Sequence, residues 1–317
     1  MTDWSWTPPP ELNAEQRMID VGEAPGETQL ETVIAGPKDS GRIAVCLHGF
    51  PELNISWRHQ IPLLAGKGYR VYAPNLRGYG ASSRPKGIGN YHIDKLTADV
   101  GGLMDAARAE AEAAGTPATE MLLMAHDWGG AVAWDFAINR VRPIDRLVMC
   151  NMPHPATFVR ALRTSRAQKK KSWYILFFQI PKLPEWLLGR NGADPIRRVF
   201  RDTATNPDQF PPEVLDVYAN AAARPGALTA MINYYRAAAR SRGRMAEVGD
   251  MQVDTRTLLI WGTGDTALGM ETVDGIEDYV PNIRKEFLPG ISHWVQQDAP
   301  AEVNALIADW LAAQDAA

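Results

Sequence analysis

Cysteine is nearly absent from this 317-residue chain: only Cys46 and Cys150 occur, each inside a short apolar run. That excludes a disulfide scaffold and a cysteine-held metal site, and leaves both thiols as small core hydrophobes. Long apolar stretches are missing too, and none approaches the roughly 18 residues a membrane-crossing helix needs. Residues 1–17 are polar, with Pro8, Pro9 and Pro10 in a row, and lack the basic-then-apolar order of a signal peptide. Neither sign of charge dominates: the formal net charge is −4, far from the basic face a nucleic-acid partner requires. There is no dinucleotide glycine fingerprint, phosphate loop or metal-ligand cluster, so no cofactor or metal is expected. What remains is a composition 45% hydrophobic and 22% charged. This suits a cytoplasmic globular protein with one large domain, or a core carrying an insertion. The expected partner is a small molecule, with no nucleic acid and no membrane. Monomer and homodimer are both left open.

Short apolar runs alternate with helix-sized segments. Residues 43–47, 69–73, 121–125, 147–150 and 258–261 are too short for stable helices and are bounded by Gly, Pro or Asn, so they read as strands. Residues 283–288 could add a last one. Segments such as 97–114 and 131–139 read as helices between them. Near-continuous apolar strands separated by helices imply a mostly parallel sheet covered on both faces, with ligands bound beyond the carboxyl ends of the strands. The alternation breaks between about 151 and 249, where the chain is rich in Arg, Lys, aromatics and Pro and reads as helices alone. The expectation is a core of residues 1–150 and 250–317 with a helical lid of residues 151–249. The basic run ending in Lys169, Lys170 and Lys171 is taken as a solvated helix face.

Chemistry concentrates at His126-Asp127-Trp128-Gly129-Gly130, where a strand ends and a helical pattern begins. Small residues around position 127 permit a sharp strand-to-helix turn that holds its side chain over the sheet edge, a nucleophile elbow with Asp in place of Ser. A carboxylate is ionised near neutral pH, with a reference pKa of about 3.9, so it needs no base to attack saturated carbon. The resulting ester carries its carbonyl on Asp127, and a second step must add water to it, which requires a base and an oxyanion hole. His293, after the last strand run, is the expected base, and Asp265, after Gly262-Thr263-Gly264, is expected to orient it. The backbone N–H groups of Phe50 and Trp128 are the expected oxyanion donors, and the same two residues are expected to bind substrate. His126 adjoins the nucleophile but should point away. His48 should shape its loop, and His59, His92 and His154 have no evident partners.

These strings carry a specific resemblance. His48-Gly49-Phe50-Pro51-Glu52 with Ser56-Trp57-Arg58-His59-Gln60, Leu76-Arg77-Gly78-Tyr79-Gly80, and His126 through Trp134 resemble the epoxide hydrolase family of the α/β-hydrolase fold. So do Ser292-His293-Trp294 and Ala301-Glu302-Val303-Asn304, and the likeness runs from about residue 42 to residue 310. The family implies an α/β class fold with a mostly parallel sheet and an inserted helical cap, a cis Phe50-Pro51 bond, and no cofactor. It also implies two lid tyrosines that hydrogen-bond the epoxide oxygen. Their motifs fall on Tyr235 in Ile232-Asn233-Tyr234-Tyr235-Arg236 and on Tyr174, with Tyr234 and Tyr218 as competitors. Departures at Asn75 and Ala81, where the family usually has acids, bear on substrate range. A dehalogenase sharing Asp127, Asp265 and His293 is the alternative reaction, and a non-catalytic ligand binder the alternative of another class. An ordinary esterase is disfavoured because position 127 is not Ser.

Overall fold

The computed structural model describes residues 4–22, 24, 26–241 and 251–315. Among the described residues eight strands form one sheet: β1 (Glu15–Asp20), β2 (Gln29–Ala35), β3 (Arg42–Leu47), β4 (Arg70–Pro74), β5 (Glu120–His126), β6 (Arg146–Cys150), β7 (Arg256–Gly262) and β8 (Ile283–Leu288). Their spatial order is β1-β2-β4-β3-β5-β6-β7-β8, parallel from β4 to β8. Strands β3, β5 and β6 are buried along nearly their whole length, as a sheet covered on both faces requires. Cys46 and Cys150 are both fully buried within it as free thiols.

Strands β1 and β2 were not anticipated. They add to the edge in antiparallel fashion, β1 on β2 and β2 on β4. β1 is polar and largely exposed, so no apolar alternation announces it. Its pairing with β2 supplies what its own composition does not.

Among the described residues three α-helices precede the insertion: α1 (Gln60–Gly66), α2 (Ile93–Ala113) and α3 (Asp127–Ile138). Both α2 and α3 begin four residues earlier than the expected helical segments starting at 97 and 131. Between β6 and β7 come α4 (Pro155–Thr164), α5 (Arg166–Lys171), α6 (Trp173–Phe177), α7 (Leu183–Leu188), α8 (Arg190–Thr203), α9 (Pro212–Ala222) and α10 (Ala227–Arg240). No strand occurs among the described residues of this insertion, and the expected boundary at 249–250 lies outside the described residues. In α8, Asn191, Gly192 and Ala193 take left-handed φ, so regular helix starts only past them, near Pro195, where a missing N–H costs nothing. The chain closes with α11 (Val295–Asp298) and α12 (Pro300–Asp315). Among the described residues no helix is long and apolar enough to cross a membrane.

The strand order positions the site. From β3 the chain passes to β4 on one side, then returns to β5 on the other. The loops after β3 and β5 therefore diverge, and a crevice opens at their carboxyl ends, the usual ligand position in such sheets.

Candidate active site

Asp127 begins α3 directly after β5, with φ +47°, a left-handed conformation that a residue with a Cβ adopts only under constraint. The constraint is close packing of the turn on the β3 loop. A Cβ on Gly129 would stand 2.3 Å from the Leu47 carbonyl oxygen, and a Cβ on Gly49 would stand 2.4 Å from the Asp127 Cβ. The turn thus presents the carboxylate to the crevice and brings the Phe50 N–H to its Oδ1 at 2.7 Å. The Phe50-Pro51 peptide is cis. Trp128, next in α3, has its N–H in the first turn, where no intrahelical acceptor exists.

His293 arrives from the loop after β8. Its Nδ1–H donates to Asp265 Oδ2 at 2.6 Å, and its Nε2 lies 3.6 Å from Asp127 Oδ2, an ion-pair separation rather than a hydrogen bond. Burial alone would lower the His293 pKa, but the carboxylates of Asp265 and Asp127 override it and raise it to about 10. Burial works against ionisation of Asp127 too. There His293, the His126 ring and the Phe50 N–H win, and the carboxyl is held below its ordinary range. Asp265 is likewise lowered against its burial by His293, Asn151 and the Leu268 N–H. At neutral pH the site is an imidazolium between two carboxylates.

Above these groups is a cavity of about 350 Å³, lined by Asp127, His293, Phe50, Trp294 and the insertion residues Tyr174, Phe178 and Tyr235. The rings of Tyr174 and Tyr235 meet edge to face at 5.9 Å. Burial and then the Asp127 charge raise both phenols well above their ordinary pKa, so both remain protonated donors. Tyr234 is not a competitor here, because its hydroxyl donates to the Arg77 carbonyl at 2.7 Å. Tyr218 is engaged with Gln297. Trp128 lies beside the cavity rather than in its wall, packed edge-on against Tyr235 at 4.9 Å. A separate hollow of about 240 Å³ near β1 and α2 is walled by charges that pair with one another, Arg17 with Glu110 and Arg70 with Glu15.

Comparison with known proteins gives the family. The family described as alpha/beta hydrolase fold matches residues 45–300. The chain is 37% identical to an AB hydrolase superfamily protein of Bacillus subtilis, over 88% of this chain and 93% of that one. It is 31% identical to epoxide hydrolase A of Mycobacterium tuberculosis, over 93% of this chain and 97% of that one. Among solved structures it is similar to Bacillus megaterium epoxide hydrolase in complex with an inhibitor, with a TM-score of 0.77 and 29% identity. That match covers 93% of this chain and 99% of the other. The chain belongs to the epoxide hydrolase family of the α/β-hydrolase fold.

Within that family frame, several supporting residues went unassigned in the sequence. Glu52 is fully buried and ties three segments together. It accepts from Gly49 N–H at 2.8 Å, from Gln296 and Gln297 side chains at 2.9 and 2.7 Å, and meets His126 Nδ1 at 2.7 Å. His126 does point away from the cavity, as expected, yet it is not idle: its Nε2–H donates to the His293 carbonyl at 2.8 Å. Asn151 directly follows β6 and donates to Asp265 Oδ2 at 2.7 Å while accepting from Gly262 N–H at 2.8 Å. Lys171, expected in solvent, instead donates to the Asp265 carbonyl at 2.5 Å. His92 and His154, without partners on sequence grounds, meet Ser241 Oγ and the Met251 carbonyl. The position of Glu52 in the His48 to Glu52 string was its only available signal. Nothing local marks Asn151.

His48 does fasten its loop. Burial lowers its pKa to about 4, so the ring is neutral, with Nδ1–H donating to the Gly49 carbonyl and Nε2 accepting from Leu76 N–H.

Proposed function

We propose that this chain is a hydrolase opening an epoxide to a vicinal diol through a covalent ester on Asp127. The observation that carries the reading is a single one: an ionised carboxylate, in a strained turn, shares a cavity with two protonated tyrosines. The insertion that brings the tyrosines acts as the cap.

In the first step the Asp127 carboxylate attacks an epoxide carbon and the ring C–O bond breaks. The freed oxygen takes a proton from the Tyr174 and Tyr235 pair, which His293 replenishes, leaving the imidazole neutral. Forming the ester removes one of the two negative charges that hold the His293 proton, so the same event that makes the intermediate prepares its base. His293, oriented by Asp265, then takes a proton from water as that water adds to the Asp127 carbonyl carbon. The oxyanion forms on the oxygen facing Phe50 N–H, with Trp128 N–H as second donor. Collapse expels the diol oxygen, which takes the proton of the new carboxyl group, and the resting ion triad returns. These steps require no metal or organic cofactor, and a small-molecule epoxide is the only partner they imply. The two free buried thiols fit a cytoplasmic setting.

The dehalogenase alternative needs side-chain N–H donors, from Asn or Trp, aimed at a departing halide. Phe50 offers none, and the Trp128 indole packs on Tyr234 and Tyr235. The test is diol release from a panel of small epoxides beside halide release from haloalkanes, with wild type, Asp127→Ala and Tyr235→Phe. Epoxide turnover that vanishes without Asp127 supports the reading. Halide release without diol, and with Tyr235→Phe harmless, overturns it.

A further inference from the structure

Five of the eight large apolar side chains that stand exposed among the described residues fall within one stretch of 14 residues: Trp173, Leu176, Ile180, Leu183 and Trp186. Leu176 is 75% exposed and Trp173 62%. The pairs Trp173 and Leu176 on α6, and Leu183 and Trp186 on α7, are spaced three apart, so each pair shares a helix face. The exposure is built in rather than frayed. The buried Arg236 guanidinium binds the carbonyls of Phe178 and Ile180 and the carboxylate of Glu185, clamping the turn that joins the two helices. Clustered apolar exposure held this rigidly is unlike the scattered single residues of an ordinary surface and marks an interaction site.

Its charge identifies the occupant. Residues 160–190 hold eight Lys and Arg against one carboxylate, Glu185, in a chain whose net charge is −4. Glu185 is consumed by Arg236, and the neighbouring Glu271 is held by the Ser165 hydroxyl. Among the described residues no carboxylate pairs with Arg163, Arg166, Lys169, Lys170 or Lys182. Arg190 lies over the Trp186 ring at 4.0 Å, so cation and apolar face are contiguous. A second copy docking through the same face would bring these like charges together. Exposed Trp, Leu and Ile beside unpaired Lys and Arg are instead the composition of a segment lying in a lipid interface. The face also borders the cavity, whose wall includes Lys171 and Trp173.

We propose that this face docks the protein on an anionic lipid surface, with the cavity rim turned toward the lipid. The full chain is to be co-sedimented with phosphatidylcholine vesicles and with vesicles containing phosphatidylglycerol, in low and in high salt. Leu176→Ser/Trp186→Ser and Lys169→Glu/Lys170→Glu are compared with wild type, and none of these four residues lines the cavity. The expected result is binding to the anionic vesicles that salt weakens, reduced about tenfold or more in each double variant at unchanged melting temperature. No binding to anionic vesicles overturns the proposal, and so does binding that both variants retain. A dimer seen by light scattering and lost in Leu176→Ser/Trp186→Ser would give the face to a second copy instead.

Discussion

The N–H of Phe50 donates to Oδ1 of Asp127 at 2.7 Å across 77 residues of sequence. In the ester this oxygen is the carbonyl oxygen, and on water attack it becomes the oxyanion, so one donor follows one atom through the proposed cycle. The contact exists because position 49 carries no side chain: a Cβ there would meet Asp127 Cβ at 2.4 Å and Oδ1 at 2.6 Å. Gly49→Ala should therefore lower kcat/KM by about 100-fold or more, the range seen when one oxyanion donor is lost. The far-ultraviolet circular dichroism should be retained. An active Gly49→Ala enzyme would contradict the packing of this turn.

The left-handed φ of Asp127 should be measurable as strain. Asp127→Gly and Asp127→Ala both remove the carboxylate, and both should be inactive. Only Gly adopts φ +47° freely, so it should be the more stable of the two by about 1 kcal/mol in urea unfolding. Equal stabilities would mean the turn relaxes.

Adjacent tyrosines should behave differently. Tyr235→Phe removes a donor in the cavity, and ester formation followed by rapid mixing should slow about 100-fold or more. Tyr234→Phe removes a hydroxyl bonded to the Arg77 carbonyl, which should cost about 1 kcal/mol of stability and leave turnover in place. The reverse pattern would exchange their roles.

His293 should leave a mark on pH dependence. Its folded pKa of about 10 lies above its ordinary 6.5, so its contribution to stability is fully present below 6.5 and lost as pH rises through about 10. The lowered Asp127 and Asp265 contribute above their ordinary range and lose that contribution as pH falls. Unfolding free energies of wild type should thus decline toward pH 10 more steeply than those of His293→Gln. In the ester Asp127 is uncharged, so single-turnover ester hydrolysis should show its His293 limb below about 10. A limb unchanged from the resting protein would mean that Asp127 does not hold the imidazolium proton.

Much of this could be read from local pattern. The buried strands β3 to β7 are apolar runs bounded by breakers, and a run of that kind is a strand wherever it lies in the chain. The elbow is written in small residues around Asp127, and the order Asp127, Asp265, His293 follows the order of strand ends. The polar strand β1 was illegible for the opposite reason, since its partner β2 and not its own alternation makes it a strand. Lys171 looked like one more solvated cation because nothing nearby in sequence reveals the Asp265 carbonyl, 94 residues away.

The sequence by itself determined which chemical groups are available and at which strand and helix ends they stand, because period, breakers and turn residues act over a few positions. Tertiary structure alone decided which groups meet. Tyr234 and Tyr235 are neighbours on one helix, about 100° apart around its axis, and only the packing of α10 sends one to Arg77 and the other to the cavity. Asn151 steadies Asp265 across 114 residues, and Glu52 reaches Gln297 across 245. Such contacts depend on how the sheet order folds distant loops into one crevice, which no local pattern encodes.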